Sequence, residues 1–455
     1  MTYESEKRDI TIALTGDFML TRRLSVYREP QFLGLRELLR SSDVAFTNFE
    51  SSSREFDEGA AAMGAGTCMN TDPELLDDIK WLGINLMSCA NNHVSDFGQQ
   101  GLLATARHLD EHGIIYSGIG RNLREARSPA YLDTNGGRVA LISANSFRFE
   151  NSQAGDQRPD FGGRPGVNPL GFQTKHIVDN RAVDDLKRIS ADLGFDATRE
   201  RLKNFGFYSA AEVGSDSNKE LTFLGRKFVA GDRFATETRA NKKDATDNLR
   251  QIREARRQAD WVVVSLHHHE LTGPNFLTAR IPTELEECES FIKDFARQCI
   301  DEGADVVVGH GPHVTLGMEL YKGKPIFDSL GTFVLQNETV RFFPAHAYSR
   351  FGLDSDSTPA DFLDARSHND TKAHPGDPLY WQTVCAVCKF TSGKLAQVQL
   401  HPIDLGHGKP RAQRGRPVLA EGALAEETIA RLARISKPMG ADIRLENGVG
   451  VVGVN

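Results

Sequence analysis

The chain reads Asp9-Ile10-Thr11-Ile12-Ala13-Leu14-Thr15-Gly16-Asp17 near its start. The first six residues alternate and are mostly apolar, as is typical of a buried strand, and Thr15-Gly16-Asp17 ends that pattern. An acidic residue directly after a strand serves a turn more often than it binds a ligand. The stretch therefore predicts a first strand and leaves the role of Asp17 open.

Strand-like and helix-like segments alternate along the chain that follows. The strand candidates are Asp43–Phe46, Ile84–Cys89, Ile114–Tyr116, Arg138–Ala144, Trp261–Leu266, Asp305–Val308 and Lys324–Ser329. The helix candidates between them are Gln99–His112, Asp244–Gln258 and Thr283–Glu302. Repeated strand, helix, strand order indicates an α/β fold in which a sheet is packed on both faces.

Two segments depart from this alternation. Residues 151–243 start with a polar stretch that contains Gly and Pro, and they continue with helical patterns, which predicts a helical insertion that could serve as a lid. Residues 336–455 contain a loop rich in Pro, Asp and Ser at 343–378, then strand-like runs and a helix at Ala423–Ile435. We interpret them as a C-terminal extension packed on a main domain at 9–335.

The composition excludes several classes of protein. Of the 455 residues, 39% are hydrophobic and 25% are charged, which excludes a disordered chain, and the net charge of −8 argues against a general nucleic-acid binder. The longest apolar runs are far shorter than the roughly 20 residues of a membrane span. Because Met1–Lys7 lacks the pattern of a signal peptide, a cytoplasmic location is predicted. Six cysteines in so long a chain do not indicate a disulfide framework.

Five strand candidates are followed by side chains that can bind metal ions. They are Asp17, Glu50, Asn92 with His93, His267 to His269, and His310 with His313. Loops converge at the carboxyl ends of the strands in an α/β sheet, so these side chains could all reach one place. Oxygen ligands mixed with imidazole nitrogen suit Mn²⁺, Fe²⁺ or Zn²⁺, whereas oxygen alone would indicate Mg²⁺ or Ca²⁺. The sequence therefore predicts a transition-metal site.

Each motif also has a plainer interpretation. Asn92-His93 could be an ordinary capped loop, and His310-Gly311-Pro312-His313 could be a turn with solvated histidines. His267 and His269 share one face of a strand because side chains alternate, but either could be the ligand. The basic run from Lys409 to Arg416 could attract a carboxylate or a phosphate, although such a run is more often a solvated loop.

Several of these motifs resemble those of the CapA family, the poly-γ-glutamate biosynthesis proteins related to calcineurin-like metallophosphoesterases. The matching stretches are Leu14–Leu20, Asn48-Phe49-Glu50, Ala90–Gly98, Gly309–Val314 and Ser329–Phe333. The resemblance covers residues 9–335 and implies a metallophosphoesterase-like layered α/β sandwich. Some positions depart from it: Met19 and Gly311 stand where related proteins have histidine, and Thr332 stands where asparagine is common. His267-His268-His269 stands where the family often has His-Trp-Gly before the acidic residue, which leaves the ligand histidine open.

The resemblance also implies a dinuclear centre of Mn, Zn or Fe, in which Glu50 and a hydroxide bridge two divalent ions. One ion would be bound by Asp17 and His313, and the other by Asn92, His310 and either His267 or His269. His93 would be the general acid, with Asp96 orienting its ring, and Glu270 would fix a ligating imidazole.

From these features we predict a metal-dependent hydrolase that cleaves an amide, lactam-type or ester bond in a small-molecule or short polymer substrate. A phosphoesterase is the first alternative, and it is less favoured because no Gly-rich phosphate-binding loop accompanies the metal motifs. The second alternative is a non-catalytic accessory protein of poly-γ-glutamate synthesis or export. The substrate-binding residues and the oligomeric state are left open by the sequence.

Overall fold

The computed structural model describes residues 7–62, 67–147, 152–206, 219–272 and 287–453. The chain forms two compact units, Met1–Gly171 with Lys242–Asn455, and Phe172–Asn241. The first unit contains every predicted site residue, and the second lies inside the predicted insertion.

The elements are numbered here in chain order. The first part contains β1 (Ile10–Met19), α1 (Pro30–Arg40), β2 (Val44–Phe49), β3 (Ser52–Ser53), β4 (Asn70–Thr71), α2 (Leu76–Leu82), β5 (Leu86–Ser88), α3 (Gly98–Glu111), β6 (Ile115–Ser117), β7 (Ile119–Gly120), α4 (Leu123–Arg127), β8 (Ala130–Thr134), β9 (Gly137–Asn145) and β10 (Gly166–Val167). The second unit contains β11 (Phe172–Val178), α5 (Asn180–Asp192), α6 (Phe195–Phe205), β12 (Glu220–Phe223), β13 (Arg226–Ala230) and β14 (Ala235–Ala240). The remainder contains α7 (Lys242–Arg256), β15 (Trp261–His267), α8 (Ser290–Asp301), β16 (Val306–His310), β17 (Met318–Tyr321), β18 (Lys324–Phe327), β19 (Thr332–Leu335), α9 (Ala345–Arg350), α10 (Pro359–Ser367), α11 (Ala373–Gly376), β20 (Gln382–Thr391), β21 (Lys394–Asp404), β22 (Val418–Leu419), α12 (Gly422–Ser436), β23 (Ile443–Glu446) and β24 (Val449–Val452).

Two large sheets form the first unit. One has the order β23-β24-β21-β20-β1-β2-β5-β6, with β19 also paired to β1 and β22 to β21. The other has the order β17-β18-β16-β15-β9-β8. Strands β1, β2, β5 and β6 are parallel, and so are β9, β15, β16 and β18. The carboxyl ends of the parallel strands in each sheet therefore all point in the same direction and lie side by side.

The two sheets face each other across a shared apolar core. Alternate residues of β1, such as Ile12 and Leu14, pack with Val263 of β15 and Val308 of β16. Ala13, which lies between them, belongs instead to the core on the opposite face of the sheet, where α1, α2 and α3 pack. Helices α7 and α8 contact the second sheet. The layered α/β sandwich that the family resemblance implies is thereby confirmed.

The alternating strand and helix order, which indicated an α/β fold with a sheet packed on both faces, is distributed over two sheets. Strand β1 of the first sheet and strand β15 of the second are both buried on two faces, and this is why they have similar apolar sequences. Residues 336–455 do more than pack on the main domain, since β20 pairs directly with β1 along Ile10–Leu14. Residues 343–378, predicted as a loop, contain α9, α10 and α11.

Some predicted boundaries also shift. Strand β1 continues to Met19 instead of ending at Thr15, because β19 pairs with its second half. Helix α8 begins at Ser290 and not at Thr283; residues 283–286 of that prediction lie outside the described residues. The insertion unit is a four-stranded sheet of order β12-β13-β11-β14 with helices α5 and α6. That this unit acts as a lid remains a prediction, and so do the predicted domain limits.

All six cysteine thiols are free and buried, and Cys385 and Cys388 lie within β20. Every helix in the described ranges is too short or too polar to span a membrane.

Candidate metal centre

The candidate site lies where the carboxyl ends of strands from both large sheets meet. From the first sheet, Asp17 lies in β1 at a break in the strand register, Glu50 follows β2, and Asn92 with His93 follows β5. From the second sheet, His267 ends β15, and His310 ends β16. The strand order thus places residues that are far apart in sequence within contact distance of one another.

Six of the predicted ligands form one cluster. Their ligand atoms fall into three overlapping groups, each within 4.8 Å: Asp17 with His267 and His310, Glu50 with His267 and His269, and Asp17 with Glu50 and His313. The third group matches the predicted pairing of Asp17 and His313 around Glu50. His310 groups with Asp17 and with His267, one of the two histidines that the family resemblance implies on the same ion as His310, and Oδ1 of Asn92 lies 2.7 Å from Nε2 of His267.

Asp17 is held by contacts to both of its carboxylate oxygens. Its Oδ1 accepts a hydrogen bond from Nδ2 of Asn48 at 2.9 Å, and its Oδ2 accepts one from the backbone N–H of Gly311 at 3.0 Å. Nδ1 of His313 lies 3.1 Å from Oδ2. Burial alone would raise the pKa of Asp17, but hydrogen bonding and positive charge from His313 hold it below the ordinary value. Asp17 is therefore a fixed anion at neutral pH.

Glu50 lacks such contacts. Both of its carboxylate oxygens are buried and have no hydrogen-bond partner among the described residues. Nε2 of His267 lies 3.7 Å from Oε1, and Nδ1 of His313 lies 3.7 Å from Oε2. Burial, followed by the charge of Asp17, raises the pKa of Glu50 well above its ordinary value. A buried carboxylate without partners is strongly destabilising, and a bound cation would supply the missing charge.

Three imidazoles of the cluster, those of His267, His269 and His310, are neutral at pH 7. Burial lowers the pKa of His310 to about 4, and burial with neighbouring imidazoles lowers the pKa of His267 and His269 well below the ordinary value. A neutral imidazole has one nitrogen lone pair available for a metal ion. The cluster of buried carboxylates and neutral imidazoles could therefore hold a metal ion.

The partners of His267 indicate which of its nitrogens carries the lone pair. Its Nε2 lies 2.7 Å from Oδ1 of Asn92, which can only accept, and its Nδ1 lies 3.4 Å from Nδ2 of Asn48, which can only donate. These contacts assign the proton to Nε2 and the lone pair to Nδ1. Nδ1 of His310 lies 2.9 Å from Nδ1 of His267, and Nε2 of His310 lies 2.6 Å from Oγ of Ser265. Both Nδ1 atoms thus lie beside Oδ1 of Asp17.

The adjacent histidines differ in direction. Nε2 of His269 lies 3.2 Å from Nε2 of His267, so both residues reach the cluster. His268 instead places its Nε2 2.8 Å from the backbone carbonyl of Asp328, away from the other two. Glu270 accepts a hydrogen bond from the backbone N–H of His269 at 3.3 Å and another from Ser146. The Glu270 carboxylate thus contacts the backbone of His269. The prediction was that it would fix a ligating imidazole.

His93 and Asp96 lie at the edge of the cluster. Nδ1 of His93 is 2.7 Å from Oδ2 of Asp96, and Nε2 of His93 is 3.9 Å from Oε1 of Glu50. The same Oδ2 accepts a hydrogen bond from the backbone N–H of Met69 at 2.7 Å, which fixes the carboxylate in place. Asp96 therefore places the Nδ1 proton of His93 and directs Nε2 toward the cluster.

Sequence reasoning did not single out several residues that position the site. Asn91 is a clear case: its Nδ2 donates to Asn48 and to the carbonyl of Phe49, and its Oδ1 accepts the N–H of His93. Asn48 and Asn91 stand beside predicted ligands, and that proximity was the available signal. Three others contact the histidines of the cluster: Ser265 lies in the predicted strand Trp261–Leu266, Thr332 lies in a stretch that resembles the family, and His374 had no signal in the sequence.

The turn after β16 explains one departure from the family motif. Gly311 has a φ of 117°, and a Cβ added there would lie 2.2 Å from the carbonyl oxygen of His268. A side chain does not fit at this position without moving the backbone. The next ligand candidate, His313, has a φ of 63°, a strained conformation for a residue other than glycine. The turn thus places the Gly311 N–H and the His313 ring against Asp17.

We expect Gly311→Ala to destabilise the protein by about 1–3 kcal/mol, since it combines an unfavourable φ with a backbone clash. The same variant should bind metal more weakly, because the Gly311 N–H would move from Asp17. Urea unfolding and metal titration would measure the two effects. Gly323→Ala is the matched control, as Gly323 has a φ of 72° but no atom within 4 Å of the added Cβ. Equal behaviour of the two variants would contradict the packing argument.

Comparison with known proteins places this arrangement in a family. The model of the bacterial capsule synthesis protein PGA_cap family matches residues 11–337, which include every predicted site residue. The chain belongs to the PGA_cap family. Residues 338–455, with β20 to β24, lie beyond the matched region.

Individual relatives agree with this assignment. An uncharacterized protein of Sinorhizobium fredii is 33% identical over 97% of this chain and 92% of its own length. The capsule biosynthesis protein CapA of Bacillus anthracis is 24% identical, over 74% of this chain and 62% of its own length. A probable polyglutamine synthesis accessory protein of Mycobacterium tuberculosis is 24% identical, over 65% of this chain and 56% of its own length. These relatives thus match between 65% and 97% of this chain.

Proposed function

We propose that the protein is a metal-dependent hydrolase of the PGA_cap family, with two divalent transition-metal ions held by the cluster. The observation that carries the proposal is Glu50, whose two buried carboxylate oxygens have no hydrogen-bond partner among the described residues. Glu50 lies between the neutral imidazole of His267 and the imidazole of His313, which also contacts the anionic Asp17. Both carboxylate oxygens of Glu50 are available, and the three groups of possible metal ligands lie around it. Glu50 is therefore suited to bridge two ions.

The donor groups suggest how each ion would be bound. Asp17, His267 and His310 would hold one ion, and Glu50, His269 and His313 would lie on the other, with Glu50 as the bridge. Asn92 would hold the ring of His267 through its Oδ1. When bound, two such ions lower the pKa of a water molecule and neutralise charge that develops on the attacked centre. Carboxylate and imidazole donors favour Mn, Fe or Zn.

His93 would provide a proton to the leaving group. Its Nδ1 is engaged by Asp96, so the nitrogen that faces the cluster is Nε2. At 14% exposure, the side chain is accessible enough to meet a substrate and buried enough to keep one orientation. A proton on Nε2 can then be transferred to a leaving nitrogen or oxygen, while Asp96 stabilises the ring.

We favour an amide, lactam-type or ester bond over a phosphoester. The basic run that could have received a phosphate is engaged within the protein: Arg411 pairs with Asp364 and Asp370, and Arg414 pairs with Glu338 and Asp370. Binding of the substrate therefore depends on the metal ions and on residues close to them. A phosphoesterase is the alternative, because the ions alone can bind a phosphoryl group.

A second candidate function is that of a non-catalytic accessory protein. The observation that favours it is the similarity to the Mycobacterium tuberculosis relative, a probable accessory protein of polyglutamine synthesis. In such a role the metal cluster would bind an anionic polymer without cleaving it. This role needs a partner that synthesises or exports the polymer.

Elemental analysis combined with a hydrolysis screen would test the proposal. We expect the purified protein to contain Mn, Zn or Fe and to hydrolyse at least one amide, lactam or ester of a panel, with activity lost in a chelator and restored by the metal. A metal-loaded protein that cleaves no amide, ester or phosphoester but retains poly-γ-glutamate would support the accessory role instead. A protein without metal would refute both candidates.

Metal removal should also lower the stability of the fold. An ion present at about 100 times its dissociation constant stabilises the folded state by about 2.7 kcal/mol. Removal of the ion ends this stabilisation and leaves Glu50, whose pKa burial raises well above its ordinary value, with no hydrogen-bond partner among the described residues, so we expect the chelated protein to unfold at a lower temperature. Differential scanning calorimetry with and without chelator would measure the shift. An unchanged midpoint would argue that no ion occupies the cluster.

A further inference from the structure

Two buried asparagines connect the strand ends that carry the metal cluster and the proposed proton donor. Asn48 lies in β2, two residues before Glu50, and Asn91 lies in the loop after β5, two residues before His93. Both asparagines are 0% exposed. Strands β2 and β5 are parallel neighbours, with Asn48 opposite Ser88. The asparagine pair, Asn48 and Asn91, therefore lies between the cluster and the loop of His93.

The side-chain amide of Asn91 makes four hydrogen bonds, and they fix its orientation. Its Oδ1 accepts the backbone N–H groups of His93 at 3.1 Å and of Val94 at 3.0 Å. Its Nδ2 donates to the backbone carbonyl of Phe49 at 2.7 Å and to Oδ1 of Asn48 at 3.2 Å. A backbone N–H can only donate and a backbone carbonyl can only accept, so exchanging Oδ1 and Nδ2 would break the bonds to all three backbone groups. Backbone groups alone therefore determine the donor and acceptor roles of Asn91.

The orientation of Asn91 determines that of Asn48. Because Nδ2 of Asn91 donates, the atom of Asn48 that faces it is Oδ1, and the opposite atom, Nδ2, donates to Oδ1 of Asp17 at 2.9 Å. The same Nδ2 lies 3.4 Å from Nδ1 of His267. The hydrogen bonds thus run in one direction, from the backbone N–H of His93 through two amides to the carboxylate of Asp17. Hydrogen bonds that form such a chain strengthen one another.

A simple turn cap would not need this chain of hydrogen bonds. An asparagine that accepts the N–H groups of the residues after it is a common way to begin a short turn, and His93–Ser95 forms such a 3₁₀ turn here. That role uses Oδ1 alone, and serine would serve it about equally well. At position 91 the Nδ2 atom is used as well, and it connects the turn to β2 through Phe49 and Asn48. Because buried polar groups are destabilising when they lose their partners, this position requires a complete amide.

We propose that Asn91 is a positioning residue, which fixes the backbone of the proton donor His93 relative to the proposed metal ligand Asp17. The connection to Asp17 runs through Asn48. This inference rests on the proposed function, because it needs His93 to act on a substrate bound at the cluster. Asp96 fixes the ring of His93 through Nδ1 at 2.7 Å, whereas Asn91 fixes its backbone. The two contacts together keep the ring directed at the cluster.

Hydrogen–deuterium exchange of the full chain would test the connection, with mass spectrometry of peptides that cover residues 90–97. Asn48→Ser removes the Oδ1 atom that Asn91 contacts and leaves Asn91 itself unchanged. We expect residues 90–97 to exchange about tenfold faster in this variant than in the parent, because the amide that holds their turn has lost one of its partners. The difference should be present with and without metal.

Asn85→Ser is the matched control for the exchange experiment. Asn85 connects the same two strands at their amino ends, where its Oδ1 accepts the N–H of Ala45 at 2.9 Å and its Nδ2 donates to the carbonyl of Asp43 at 3.1 Å. This control should leave the exchange of residues 90–97 unchanged. The inference is overturned if Asn48→Ser exchanges there like the parent, since Asn91 would then be a local cap. It is also overturned if both variants exchange faster to the same extent, because general destabilisation would explain the change.

A double-mutant cycle would test whether Asn91 acts through His93. Asn91→Ser keeps an oxygen that can accept from the turn, and it lacks the Nδ2 atom. We expect this variant to retain the metal content of the parent and to lower kcat by about tenfold or more for an amide or alkyl ester that the parent hydrolyses, since the proton donor is misplaced. In the His93→Gln background the same change should leave kcat within about twofold, because the donor that Asn91 positions is already absent.

Two results of the cycle would overturn the inference. An equal loss of kcat in both backgrounds would show a general structural role, which does not depend on His93. Loss of metal in Asn91→Ser would show that the residue acts on the cluster and not on the proton donor. A parent that binds no metal or hydrolyses no substrate refutes the proposed function itself. The exchange experiment needs neither property, so it still decides whether the asparagine pair fixes the turn.

Discussion

Replacement of His310 by alanine should remove metal from the cluster and abolish turnover. His310 has 0% exposure, and its Nδ1 lies 3.5 Å from Oδ1 of Asp17 and 2.9 Å from Nδ1 of His267. Ser265 engages the other ring nitrogen, so Nδ1 is the atom available to an ion. Loss of a residue that orients a metal ligand typically weakens affinity or activity by about 10–100-fold, and loss of a ligand itself should exceed that. Metal content and the hydrolysis rate of the purified variant would measure both effects.

His268→Gln is the matched control for this experiment. His268 is as buried as His310 and lies next to His267, but its Nε2 contacts the backbone carbonyl of Asp328. The control should lose some stability and keep both its metal and its activity. If His310→Ala binds metal and works as well as the parent, the assignment of His310 fails. If both variants lose metal equally, the effect comes from damage to the core and not from a lost ligand.

The sequence predicts the strands better than it predicts their arrangement. Trp261–Leu266 and Asp305–Val308 are apolar on both faces, and their burial was readable from composition alone. Which sheet each strand joins depends on contacts between distant residues, such as the pairing of Ile10 with Phe390. The extension of β1 to Met19 is hidden for the same reason, since β19 lies more than 300 residues later in the chain. Local patterns do not contain this information.

The candidate site is predictable to the extent that its residues follow strands. Glu50, His267 and His310 each end or follow a buried parallel strand, and Asp17 lies where the sequence predicts the end of the first strand, so one rule about strand ends brought them together. Which ligands group together was not predictable from the sequence, because the grouping depends on how the carboxyl ends of strands from two sheets meet. His374 had no signal in the sequence, since it lies outside any strand and reaches the cluster through the ion pairs of Arg411 and Arg414.

The combination of two sheets has a chemical consequence. Asp17 and Glu50 come from the first sheet, and His267, His269 and His310 come from the second or from the loop that follows its strand. The carboxylates therefore lie on one side of the cluster and most imidazoles on the other. An ion held between them would link the two sheets directly, so metal binding and the packing of the sheets should stabilise each other.

His93 should prove essential for turnover and dispensable for metal binding. We expect His93→Gln to keep the metal content of the parent, because Nε2 of His93 lies 3.9 Å from Glu50 and the residue belongs to none of the three ligand groups. The variant should lower kcat by about 10²–10⁴-fold, the usual contribution of a general acid. The hydrolysis rate of substrates with a good leaving group, such as nitrophenyl esters, should fall much less, because departure of that leaving group needs no proton.

Asp96→Asn provides the graded comparison for His93→Gln. The amide keeps the size of the side chain but weakens the contact at 2.7 Å that holds Nδ1 of His93. We expect a smaller loss of kcat than for His93→Gln, with metal retained, because the ring remains but is oriented less well. Loss of metal in His93→Gln would instead make His93 a ligand. An equal loss of rate for good and poor leaving groups would show that His93 does not donate the proton.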